Sequence, residues 1–219
     1  MSPRAFTLAE VLITLGIVGV IAAITLPNLV ANYQKKVTAT RLKKVYSNLY
    51  NAYNSAELEY GSSENWDYPQ TTENFTVENF WNKYFAPYIR TEKYTKNYSV
   101  KNLNGDNAGY ISSHQRQIRY KTTDGTCIAI WNNNQFLGLS IDLNCSASPN
   151  VIGKDIFDIV ELYWAGKKFK LFGLPKNEQE RKSIINSCSS HTYGGGAPTK
   201  CFGVFVYDNW EFKEDYPWK

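Results

Sequence analysis

The sequence predicts an α+β fold: one long N-terminal α-helix, apolar in its first half, whose second half packs on an antiparallel β-sheet head. Three observations carry this prediction. Phe6 to Leu26 holds a single charge, Glu10, among residues that are almost all Leu, Ile, Val, Ala, Gly and Thr. Apolar residues then recur mostly in steps of three and four from Val30 to Ala56, the spacing of one helix face. From about Gln115 onward, strand-like runs alternate with turn signals.

The run from Phe6 to about Val30 is long enough, as a helix, to cross a bilayer. It exceeds the apolar core of a secretory signal peptide, and Pro27 through Lys44 reads as continuing helix, not as a cleavage region. Gly16 and Gly19 permit close helix contact or local unwinding because they lack side chains. Pro27 removes one helix hydrogen bond and is expected to kink or loosen the turn before it. Beyond it, Val30, Tyr33, Val37, Leu42, Val45, Leu49, Ala52 or Tyr53, and Ala56 form an amphipathic stripe running to about Glu59. Gly61-Ser62-Ser63 stops the helix. This gives a spanning segment at 6–30, an amphipathic continuation at 31–60 and a head at 61–219.

Within the head, residues 62–110 are rich in Asn, Tyr and Thr, with one helix expected near Val77–Phe85. Gln117–Thr122 and Thr126–Trp131, joined at Asp124-Gly125, read as a hairpin with two-residue turn chemistry. Asn132-Asn133-Asn134 leads into a third strand, Phe136–Leu143. Ile156–Trp164 and Lys168–Phe172, joined at Ala165-Gly166, form a further hairpin, and Phe202–Tyr207 is expected to return to the sheet. Consecutive hairpins imply an antiparallel meander, with the long helix as the cover for its apolar face.

Composition narrows the function classes. A net charge of +4, well dispersed, argues against nucleic acid as a partner. The one basic cluster, Lys35, Lys36, Arg41, Lys43 and Lys44, follows the apolar span, where a solvated helix face or lipid headgroups suit it. No hydrolase elbow, phosphate loop or dinucleotide fingerprint occurs, and Gly194-Gly195-Gly196 lacks the strand-to-helix setting of a phosphate cradle. His114 and His191 are the only histidines and have no matched nucleophile and acid, so no enzymatic activity is expected.

Four cysteines suit an oxidising compartment. Cys188 and Cys201 enclose a Gly- and Ser-rich loop that a disulfide would staple. As zinc ligands together with His191 they lack a fourth ligand and the usual paired spacing. Cys127 and Cys145 then form a second disulfide or stay as two free buried thiols. A simple hairpin register sets Cys127 nearer Ser140, so their pairing requires the chain to fold back after Asn144. Asp142, Asn144, Asp155 and Asp158 offer oxygen ligands for calcium. As an EF-hand the segment fails, with Ala147 at the turn glycine and Gly153 at the bidentate Glu. Asx-turn hydrogen bonding accounts for the same residues. No other cofactor is expected.

Glu10 is the sharpest single signal. An ionisable side chain near one end of an apolar span either snorkels to the headgroups or marks a functional site. Its surroundings, Arg4-Ala5-Phe6-Thr7-Leu8-Ala9-Glu10-Val11-Leu12-Ile13, resemble the processing site of type IV prepilins and type II secretion pseudopilins. That family has a short basic leader, a small residue before the cut, Phe after it, a Thr-Leu pair, and a Glu four residues beyond the Phe. Here Arg4, Ala5, Phe6 and Glu10 hold those positions, and the likeness continues through Gly16, Gly19, Ala22 and Ala23 to Pro27. Ala5 stands where the family usually has Gly. The head also resembles a group of bacterial pilin-like proteins in Asp142-Leu143-Asn144, Ser148-Pro149-Asn150, Gly153, Asp155-Ile156-Phe157, the Cys188 to Cys201 loop, Trp210 and Tyr216-Pro217-Trp218.

The resemblance implies a pilin-like fold, a leader at 1–5, cleavage between Ala5 and Phe6 by a prepilin peptidase, and N-methylation of Phe6. It also implies a bacterial inner-membrane precursor, single-pass with a cytoplasmic N-terminus, whose head is periplasmic, or extracellular once the filament is assembled. Its partners would be membrane lipid, the inner-membrane assembly platform and other pilin or pseudopilin subunits. Glu10 would pair with the Phe6 amine of a neighbouring subunit, since a carboxylate inside an apolar bundle is costly unless an ammonium lies beside it. The alternatives are a single-pass anchored binding domain with a prepilin-like start, or a DNA-uptake minor pilin.

Overall fold

In the computed structural model of the chain, residues 7–69, 76–111, 117–132, 136–163, 168–171, 173–188 and 200–218 are described. The chain divides into two compact units, Met1–Val37 and Thr38–Lys219. Helix α1, Leu8–Tyr60, is 53 residues long and runs through Pro27.

In the first unit α1 starts at a capping box. Thr7 Oγ1 accepts from the Glu10 N–H at 3.2 Å, and Glu10 Oε2 accepts from the Thr7 N–H and hydroxyl at 2.8 Å each. The hydroxyls of Thr14 and Thr25 donate at 2.9 Å to the carbonyls of Glu10 and Ile21, which satisfies them within the helix itself.

In the second unit α1 buries Leu42, Val45, Leu49, Ala52, Tyr53 and Ala56, six positions of the expected stripe. The helix ends where the sequence predicts: Gly61 takes a left-handed φ of 80°, open to glycine because it has no Cβ. A 3₁₀ turn, Ser63–Asn65, follows, then α2, Val77–Tyr84, whose N-cap Thr76 accepts from the Asn79 N–H at 3.1 Å. The aromatics of 62–110 are largely core: Trp66 stacks on Tyr84 at 4.2 Å and Trp81 on Tyr120 at 4.6 Å.

Among the described residues eight strands follow: β1 (Thr91–Lys93), β2 (Tyr98–Lys101), β3 (Asn107–Ile111), β4 (Gln117–Thr122), β5 (Cys127–Asn132), β6 (Phe136–Asp142), β7 (Ile156–Tyr163) and β8 (Phe169–Leu171). The main sheet has the order β1-β4-β5-β6-β7-β8, antiparallel throughout, so β4 to β8 form the expected meander. β2 and β3 form a separate antiparallel pair that the sequence reading leaves as connecting chain. Ile128, Ile130, Leu139, Ile141 and Leu162 face the buried stripe of α1 in one core cluster, which makes the helix the cover of the sheet.

Three expectations are corrected. The β4–β5 connection is a three-residue loop: Thr122 donates to the Thr126 carbonyl at 2.8 Å, and Gly125 takes a φ of 84°. The register pairs Cys127 with Asp142, while Ser140 pairs with Ala129. Phe202–Tyr207 is not a strand but lies in a helix, α4, Cys201–Tyr207. α4 is apolar on two sides, sending Phe202 and Phe205 into the main core and Cys201 and Val204 into a second cluster. A short run that is apolar at nearly every position carries no period to separate strand from helix. The preceding helix α3, Glu178–Cys188, went unpredicted although Asn177 and Glu180 signal its start: Asn177 Oδ1 accepts from the Glu180 N–H at 2.9 Å.

Candidate functional site

The site residues fall in three places. The first is the N-terminal stretch of α1. From Thr7 to Val30 every side chain except that of Ala22 is exposed, Leu8 by 78% and Ile24 by 67%. At ~1.5 Å per residue, Leu8–Val30 is about 35 Å long, enough for a hydrocarbon core of ~30 Å. By length and composition α1 is the one candidate membrane span among the described residues. Gly16, Gly19 and Pro27 lie within it, and no atom would crowd a Cβ at either glycine. Glu10 is the one charge on this surface, held by Thr7. Ala5 and Phe6 lie outside the described residues, as do His114, His191 and Gly194-Gly195-Gly196.

The second place is the end of the sheet where β6 turns toward β7. Asp142 Oδ1 accepts from the Asn144 N–H at 3.1 Å, the expected Asx turn, and its Oδ2 accepts from the Tyr98 hydroxyl. Asp155 accepts from the backbone N–H groups of Asn150 at 2.9 Å and Val151 at 2.5 Å. Asp158, one row along the sheet from Asp142, accepts from the Ser140 hydroxyl. Burial pushes Asp142 up to about 7 and raises Asp155 as well, against the donors that lower each. These four candidates for calcium thus serve as internal hydrogen-bonding groups. Among the described residues, no three His, Cys, Asp or Glu side chains gather closely enough to hold a metal ion.

Both disulfides are formed. Cys127 joins Cys145, with a left-handed φ of 56° at Cys145 as the chain folds back after β6, and Cys188 joins Cys201, tying α3 to α4. Close by, Arg181 of α3 grips Asp208 with two hydrogen bonds of 2.7 and 2.6 Å and Asp215 with two of 2.7 and 2.8 Å. This buried pairing anchors the C-terminal segment.

The third place is one that sequence reasoning missed. Arg119 on β4 is only 1% exposed, because Tyr94 and Tyr98 pack on its guanidinium at 5.6 and 5.1 Å. In Gln117–Thr122 it reads as an ordinary solvent-facing charge, since the chain that covers it lies about twenty residues away.

No curated protein and no solved structure matches the chain. Residues 28–219, most of the chain, match the family of unknown function DUF6613, and the chain belongs to that family.

Proposed function

We propose that the chain is a structural subunit, a pilin or pseudopilin, of a type IV pilus or type II secretion filament. The precursor sits in the bacterial inner membrane through the first half of α1. A prepilin peptidase cuts it between Ala5 and Phe6, Phe6 is N-methylated, and the subunit polymerises through its N-terminal helix. The observation that carries this reading is an exposed apolar helix surface bearing a single acid, Glu10, four residues beyond Phe6.

The chemistry supports a two-stage role. In the membrane the side chains from Leu8 to Val30 meet lipid; in a filament they meet the helices of neighbouring subunits. Glu10, which the capping box satisfies in the single chain, is compensated in an apolar bundle by the new ammonium at Phe6 of a neighbour. Cleavage is the switch, because it creates that amine. The pilin-like fold of the head belongs to the same proposal.

Mass spectrometry of the exported protein tests the reading. A methylated N-terminus at Phe6 is expected; an intact Met1, or a cut beyond Ala23, overturns it. Glu10→Val is expected to leave membrane insertion intact and to cut the yield of sheared filaments. Normal filament output from that variant removes the role assigned to Glu10.

A further inference from the structure

Beside its buried stripe, α1 carries Lys44, Asn48, Asn51 and Ser55, whose spacing sets them along one flank of the helix over ~16 Å. They form one wall of a groove of ≈ 410 Å³, within the ~300–1,000 Å³ range of small-molecule sites. Arg90, Thr122, Thr123 and Asp124 form the other wall, brought together where Thr91 of β1 pairs with Thr122 of β4. Buried Val45, Ala52 and Ile128 close the floor. Lys44 joins the two walls at one end through Asp124 at 2.8 Å, and at the other end Tyr88 donates to Glu59 at 2.5 Å.

The walls hold polar groups that the fold does not use. Among the described residues, Asn48, Asn51, Ser55, Thr123 and Arg90 have no hydrogen-bond or ionic partner. Asn and Ser are weak formers of a helix interior, and at these positions they neither cap an end nor bond the backbone. Each amide and hydroxyl offers both a donor and an acceptor, and Arg90 offers a planar fork that suits a carboxylate. Lys44 and Asp124 offset one another, so Arg90 gives the groove a single net positive charge.

We propose that this groove binds a short acidic carbohydrate, a mono- or disaccharide carrying one carboxylate. The carboxylate pairs with Arg90, and ring hydroxyls exchange hydrogen bonds with Asn48, Asn51, Ser55 and Thr123. The partly exposed ring of Tyr88 offers an apolar surface to the C–H face of a pyranose. A simple anion such as acetate would leave the amides and hydroxyls unused, and an apolar ligand would leave both walls unpaired. A sugar acid answers the walls, the charge and the volume together. The inference stands apart from filament assembly, since every residue in it belongs to the second unit.

Isothermal titration calorimetry on the full chain, in a detergent without sugar headgroups, tests it. Sialyl-galactose and glucuronyl-galactose are titrated against lactose, acetate and a glycine–aspartate tripeptide at equal ionic strength. Saturable one-to-one binding is expected for at least one acidic disaccharide, with lactose weaker by about tenfold and no saturation by acetate or the tripeptide. Arg90→Gln is expected to bring the acidic disaccharide down to the affinity of lactose, and Asn51→Leu to weaken both sugars. Both positions are exposed, so the unfolding midpoint of the head should stay unchanged in each variant. The proposal is overturned if neither acidic disaccharide saturates, if lactose or the tripeptide binds as tightly, or if folded Arg90→Gln binds like wild type. The comparison with lactose needs no variant, so it decides even if Arg90→Gln does not fold.

Discussion

Leu15 and Leu49 are the same residue on the same helix in opposite circumstances. Leu15 is 63% exposed and belongs to the first unit, whereas Leu49 is fully buried in the core of the second. The later part of α1 finds its apolar partners within the chain, in the strands and aromatics of the head. The earlier part exposes an equally apolar surface, the property of a segment made for lipid or for other helices. A single helix therefore carries two kinds of stability, one supplied by the fold and one by the surroundings.

The hardest blow to the self-contained part is Arg181→Ala. Among the described residues, it leaves Asp208, 5% exposed, with Lys213 as its one remaining ion pair, and it frees Asp215 and the C-terminal segment. Losing one partner of a buried pair costs about 3–5 kcal/mol. Denaturant unfolding of the head should move by that much while membrane insertion stays normal. A shift below about 1 kcal/mol would mean the C-terminal segment is held by its aromatic contacts alone.

A direct contrast comes next. Leu49→Ala is expected to destabilise the head by about 2–5 kcal/mol, the range for a buried leucine. Leu15→Ala should leave head unfolding unchanged and show its effect only in membrane or filament assays. Equal effects of the two variants on head stability would remove the distinction between the parts of α1.

The same contrast explains what the sequence made legible. The stripe from Leu42 to Ala56, the stop at Gly61 and the β4–β5 hairpin are local signals: a period, a glycine with positive φ and an Asp-Gly pair. Both disulfide pairings were readable as options, though not as certainties. Arg119 was not readable, because its burial depends on Tyr94 and Tyr98 folding over β4 from a distance. α4 was not readable either, since its apolar run serves two cores at once. Of the N-terminal site, the Thr7–Glu10 capping box stands plainly in the sequence, yet Glu10 reads first as a charge in an apolar span.

A smaller effect comes from Asp142. Burial lifts its carboxyl to about 7, so the folded chain binds that proton more tightly than the unfolded chain does. Its contribution to stability is present below the ordinary carboxylate range and is lost as pH rises toward 7, flattening above. Asp142→Asn removes this dependence while keeping an oxygen for the Asn144 N–H. The variant should gain about 1–3 kcal/mol relative to wild type between pH 4 and pH 8. Asp155, also raised by burial, repels Asp142, so the loss of that repulsion in the variant adds to the difference in the same direction. A gap between the two that does not change with pH would refute the assignment.

Asp124 tests the opposite sign in the exposed β4–β5 loop, at the same end of the sheet as Asp142. Desolvation pushes its carboxyl up, but Lys44 at 2.8 Å, the Thr122 hydroxyl at 2.6 Å and the Thr126 N–H together hold it well below the usual range. Its contribution is therefore present above the ordinary carboxylate range and is lost as pH falls. The pair with Lys44 is largely solvated, so Asp124→Asn should cost under about 1 kcal/mol at neutral pH. That cost should shrink as pH falls to 3, where the unfolded carboxyl is largely protonated while the folded one stays ionised, and the Lys44 part should fade in molar salt. Asp124 and Asp142 lie at the same end of β5, next to Cys127, one in the exposed β4–β5 loop and one buried beneath Tyr98. If their variants change stability with the same slope against pH, burial is not what separates them.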